Sequence, residues 1–100
     1  MNTVITSCDD DHTITIAVTG TFNYDLLPQF RDAYLKSDPQ YDFVVDLRNT
    51  ENIDSSALGI LLNMQRHLNK SDGAIRIVNA TETVKRVLQI TRFDRKFRIE

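Results

Sequence analysis

The chain has 100 residues, 41% hydrophobic and 26% charged, which allows one domain (residues 1–100) with a modest core and excludes a disordered or fibrous class. Its formal net charge of -2 lacks the concentrated basic surface that nucleic acid or an anionic membrane rewards, so neither is expected as the main partner. The single cysteine, Cys8, permits no intrachain disulfide and fits a reducing compartment.

No basic segment followed by an apolar run opens the sequence, and no apolar run approaches the roughly 20 residues that span a bilayer. A cytoplasmic protein without membrane insertion is therefore expected. Residues 3–8 read as a short strand, with Cys8 as a small buried hydrophobe. Asp9, Asp10 and Asp11 form a polar turn. Residues 13–19 alternate, with Ile14, Ile16 and Val18 facing one way; that period marks a half-buried strand ended by Gly20. Together the two strands predict a hairpin.

Residues 25–37 carry Leu26, Leu27, Phe30, Ala33 and Tyr34 at helical spacing, with Pro28 in the first turn and Asp38-Pro39 as the stop. Residues 42–47 form a compact apolar run, the mark of a strand covered on both faces, followed by a turn rich in Asn, Thr and Glu. Residues 55–69 give the strongest helix signal, closed by Ser71-Asp72-Gly73. A strand over 74–79 and a helix over 81–91 follow, and Phe93, Phe97 and Ile99 pin the tail. The fold class is α/β: a mixed, mostly parallel sheet of 4–5 strands with three to four helices, in the order β-β-α-β-α-β-α(-β).

The informative stretch runs Ile53-Asp54-Ser55-Ser56-Ala57-Leu58-Gly59-Ile60. Asp54 is a strong helix N-cap, and Ile53 and Leu58 are spaced as a hydrophobic staple. Ser55 and Ser56 then hold the first two helical positions, beside unpaired N–H groups and the positive end of the helix dipole. A phosphate there leaves the fold intact and alters the surface for a docked partner. Read from the residues alone, both serines are also simply good helix starters. The apolar positions of this helix span a wide arc with Ile60 at one edge, and Gly59 faces outward. A docking surface is therefore expected at Ser55, Ser56, Gly59, Ile60 and Asn63; equally, such an arc suits a helix wedged between neighbours.

Catalysis is not expected. A serine nucleophile needs a base, and the only histidines are His12, in the hairpin turn, and His67, roughly 18 Å along the helix from Ser55. One cysteine, two separated histidines and scattered acids suggest no metal, and three unclustered glycines form no phosphate-binding loop. No cofactor is expected.

Val44-Val45-Asp46-Leu47, then Ile53-Asp54-Ser55-Ser56-Ala57-Leu58-Gly59, resembles the signature of STAS domains of the anti-sigma factor antagonist type. The resemblance extends to Val18-Thr19-Gly20, to Gly73 with the strand at 75–79, and to Val84-Lys85-Arg86-Val87-Leu88 with Ile90-Thr91 and Phe93. It implies a STAS fold and control by partner switching. Ser55 would be the phosphoacceptor, with Ser56 as fallback. A serine kinase that is itself anti-sigma factor-like would add the phosphate, and the second partner would be a serine phosphatase, which removes it, or a response regulator. Asp54 and Asn23 would join the partner-binding residues of a monomer or weak dimer. A non-phosphorylated STAS subunit of a transport complex, such as a lipid ABC-type assembly, is the alternative. Two departures stand out: Ala57 replaces the family's usual Gly, and Asn23 stands where the family often has Asp.

Overall fold

The computed structural model describes residues 2–100. Five strands form one sheet in sequential order: β1 (Thr3–Cys8), β2 (Thr13–Phe22), β3 (Asp42–Ile53), β4 (Arg76–Val78) and β5 (Arg98–Ile99). β1 runs antiparallel to β2, and every later pairing is parallel. The parallel crossovers carry α1 (Leu27–Leu35, preceded by a 3₁₀ turn at Tyr24–Leu26), α2 (Ser55–Leu68) and α3 (Glu82–Ile90). The expected class and element order hold.

β2 alternates without interruption, burying Ile14, Ile16 and Val18 as expected. These residues join Phe43, Val45 and Leu47 of β3, Ile77 of β4 and the inner faces of α1, α2 and α3 in one apolar cluster. Because all three helices feed this single cluster, they cover one face of the sheet. The other face presents Ile5, Thr15, Ala17, Thr19, Asp46 and Arg76, exposed or half-buried, around the buried Val44. In α2 the buried set is Ala57, Ile60, Leu61, Met64, Gln65 and Leu68, a stripe at three- and four-residue spacing.

Several local expectations change. Gly20 does not end β2: it takes a φ of 92° within the strand, a conformation suited to glycine, and the strand continues to Phe22. The Asn-, Thr- and Glu-rich segment after residue 47 is not a turn but the rest of β3. Between Ala17 and Thr21 the β2–β3 register shifts twice, each time with an extra residue on β3. Such bulges place successive side chains off the regular alternation, and so the segment reads as irregular in sequence. Thr50 is the anchor of this bulged stretch, buried with its hydroxyl donating to the Val18 carbonyl at 2.8 Å. The α2 helix is closed by Asn69 in the left-handed conformation (φ 54°), ahead of Gly73.

Cys8 is exposed rather than buried. β1 is the sheet's edge, and its residues from Ile5 to Cys8 are exposed. At the other edge, Phe93 and Phe97 bury with their rings stacked 5.5 Å apart. The Arg98 and Glu100 N–H groups donate to the Ile75 and Ile77 carbonyls, adding β5 to the sheet. No helix among the described residues is long and apolar enough to cross a membrane.

Candidate functional site

The parallel strands β2, β3 and β4 each hand over to a helix at the same end of the sheet, the carboxyl ends of the strands. The three junction caps are Asn23, Asp54 and Thr81. Such strand ends collect helix N-termini and loop residues, which is why α/β folds place their sites there. Phe22 and Ile53 are register partners, and the Asp54 N–H donates to the Phe22 carbonyl at 3.4 Å. The next residue on β2, Asn23, is thereby set beside the start of α2. Its side-chain carbonyl accepts the Asp25 N–H at 3.0 Å and caps the 3₁₀ turn. The spacing in sequence between Asn23 and Asp54 is long; the parallel pairing of β2 with β3 is what brings them together.

Asp54 is the N-cap of α2. With extended backbone (φ -119°, ψ -178°), its carboxylate oxygen Oδ1 accepts the Ala57 N–H at 3.1 Å. Oδ1 also accepts the Ser56 hydroxyl at 2.6 Å, the length of a charge-assisted bond. That hydroxyl is the main reason the Asp54 carboxyl is held below its ordinary range. Slight burial opposes it, and the Ala57 N–H adds to the lowering. The carboxylate is therefore ionised at neutral pH and fixed in place from two sides.

The two serines are not equivalent in this arrangement. Ser56 is half-buried and its hydroxyl is committed to Asp54. Ser55 is exposed at the first helical position, and its hydroxyl has no hydrogen-bond partner among the described residues. Ile53 and Leu58 flank the cap at the spacing of a hydrophobic staple, and both are half-buried against the core.

Along α2 the outward stripe runs Ser55, Gly59, Asn63 and Arg66, one turn apart. A Cβ built at Gly59 meets no heavy atom within 4 Å. No neighbour inside the protein therefore requires a glycine there, and the surface at that point is open. Ile60 leaves the expected face: it is 3% exposed and belongs to the core cluster. Its side of the helix arc is covered, so Ile60 anchors α2 in the core and does not meet solvent.

Sequence reasoning missed Tyr24, which is 66% exposed next to Asn23 at the same end of the sheet. It also missed the bulged end of β3, where Arg48, Asn49, Glu51 and Asn52 are exposed. An aromatic directly after a helix-capping Asn was the available signal for the first. For the second, the bulges removed the strand pattern that would have placed the residues. The histidines lie elsewhere: His12 packs on Tyr41 with ring centroids 4.8 Å apart, and His67 on Tyr34 at 5.5 Å.

Known proteins share this architecture. A STAS-domain containing protein of Pseudomonas aeruginosa (strain UCBPP-PA14) is 36% identical over 91 residues, covering 90% of each chain. An anti-sigma-B factor antagonist of Staphylococcus aureus (strain NCTC 8325 / PS 47) is 25% identical over 93 residues, covering 91% of this chain and 86% of its own. Among solved structures, the anti-sigma factor antagonist SpoIIAA in its unphosphorylated form superposes with a TM-score of 0.76 at 18% identity. That match covers 98% of this chain and 88% of the other, and it shows the common fold. The family model described as Mlab, STAS domain matches residues 6–99. The sheet order, the capped start of α2 and these likenesses agree: the chain belongs to the STAS-domain family.

Proposed function

We propose that this chain is a phosphorylation-controlled regulatory binding protein of the anti-sigma factor antagonist type, acting in the cytoplasm by partner switching and not by catalysis. The observation that carries the reading is the difference between the two serines. Ser55 is exposed and uncommitted at the mouth of α2, while Ser56 is held by Asp54. Ser55 is thus the phosphoacceptor, presented to a cognate serine kinase and returned to its free form by a phosphatase. The name of the Staphylococcus aureus relative and the description of SpoIIAA as unphosphorylated support the same reading.

A phosphoryl group on Ser55 brings about -1.5 to -2 charges at pH 7. The positive end of α2 offsets part of that charge, so the fold tolerates it. The ionised Asp54 carboxylate beside it makes the local surface strongly negative and hydrated. A partner seated on Asp54, Ser55, Ser56, Gly59, Asn63 and Asn23 in the unmodified form must then desolvate a dianion, and it releases. The Ala57 substitution gives the first turn an ordinary helical residue, buried and fixed, so the switch acts through surface charge and not through loop rearrangement.

The test uses wild type, Ser55→Ala and Ser55→Asp chains as baits in extract of the native host, with the captured partner purified and its binding remeasured. Ser55→Ala is expected to bind at least as well as wild type and Ser55→Asp to lose the partner. Equal binding by both variants would overturn the switch.

A second reading is favoured by one observation: the matching family model bears the Mlab description. There the same α2 face docks constitutively in a transport complex, without a kinase. Co-purification with an ATPase, together with an unmodified Ser55 and Ser56, selects that reading.

A further inference from the structure

We propose that a second copy of this chain pairs with β1, so that two five-stranded sheets join edge to edge across a two-fold axis. Sheet edges are templates for further strands, and natural folds blunt them with charge, shortness or cover. The β5 edge is blunted: it is two residues long, and Arg98 pairs with Glu100 at 3.1 Å beside it. The β1 edge is not. Its six residues, Thr-Val-Ile-Thr-Ser-Cys, contain no charge and no proline, and Ile5 is 63% exposed.

The geometry selects a register. Ile5 opposes Ala17 and lies on the face away from the helices, with Thr3 and Ser7. A two-fold axis normal to the sheet keeps each face on its own side. Directly opposed residues of an antiparallel pair also share a face. Ile5 can therefore meet Thr3, Ile5 or Ser7 of the second copy, and the register centred on Ile5 buries the two isoleucines against each other.

The charges beside the strand argue for a second copy and not a foreign strand. The groove between β1 and α1 is lined by Thr6, Gln29, Asp32 and Lys36. The same two-fold brings the α1 helices alongside each other, antiparallel. Asp32 and Lys36 sit one turn apart, 3.7 Å from each other and both well exposed. In an antiparallel pair of helices each Lys36 faces the Asp32 of the other copy, so the flanking charges are complementary to themselves.

Sedimentation equilibrium in reducing buffer, which keeps the exposed Cys8 thiol out of the result, tests this directly. Wild type is expected to pass from monomer to dimer in the micromolar range. Ile5→Lys should weaken the dimer by about tenfold or more while leaving the circular dichroism and melting curve unchanged. Asp32→Lys should weaken it as well, and the double variant Asp32→Lys with Lys36→Asp should recover it. A wild type that stays monomeric into the millimolar range overturns the proposal. So does a dimer indifferent to Ile5→Lys, or one that the charge exchange does not restore. The assay needs no phosphate on Ser55 and no other partner, so its outcome is separate from that of the switch.

Discussion

Replacing Gly59 with alanine separates stability from docking. Gly59 lies inside α2, where glycine carries the greatest backbone entropy loss on folding. The added methyl meets nothing within 4 Å, so no packing strain opposes it. The change should stabilise the fold by about 0.5–1 kcal/mol, raising the melting temperature by about 2–8 °C for a domain of this size. If α2 is the docking face, the same methyl stands in the partner's way. Overpacking costs about 1–3 kcal/mol, a loss of roughly 5- to 150-fold in affinity. Urea and thermal melts read the first effect, and titration of the purified partner reads the second. A destabilised variant would mean that Gly59 is not in open space. A stabilised variant with unchanged affinity would remove Gly59 from the docking surface.

The N-cap gives a second test. Asp54→Ala should cost about 0.5–2 kcal/mol in urea unfolding, and Asp54→Asn much less, since an amide oxygen still caps the Ala57 N–H. The Asp54 carboxyl is lowered in the folded chain, so its contribution is complete above the unfolded value of roughly 4 and lost as pH falls through the lower folded value. Unfolding followed between pH 2 and 5 should therefore show that part of the acid sensitivity disappear in Asp54→Asn. Ser56→Ala should raise the Asp54 carboxyl toward its ordinary range, because the strongest donor to it is gone; NMR titration of the carboxyl carbon measures this, and an unmoved midpoint would count against the clamp. Thr50→Val removes a buried hydroxyl and leaves the Val18 carbonyl without that donor, for a loss of about 1–3 kcal/mol. A neutral result there would show that the bulged half of β3 is not anchored through Thr50.

Most of the element order was legible in the sequence because three signals agreed: alternation in β2, four-residue apolar spacing in α2, and the Asp54 cap at the start of α2. The errors have physical sources. Bulges in β3 shift side chains off the strand period, so 48–53 looked like a turn although its backbone remains paired with β2. Gly20 was read as a stop because glycine punctuates chains, yet here its positive φ serves the same irregular region. Cys8 was misplaced because local apolarity does not reveal that a strand lies at an edge. At the site, the start of α2 and the outward Gly59 were readable from capping rules and helical spacing. The commitment of Ser56 to Asp54 was not, since both serines suit a first turn and only the side-chain geometry separates them. Ile60 was misassigned for a related reason: a helical wheel gives angles, while the packed neighbours decide which edge of the arc is covered.

The most direct measurement is phosphosite mapping on the chain isolated from its native host, by intact mass followed by fragmentation of the peptide that contains both serines. One phosphoryl group is expected, on Ser55, absent from the Ser55→Ala chain and retained in Ser56→Ala. Phosphate found on Ser56 in the wild type, or no phosphate on either serine under any growth condition, would contradict it.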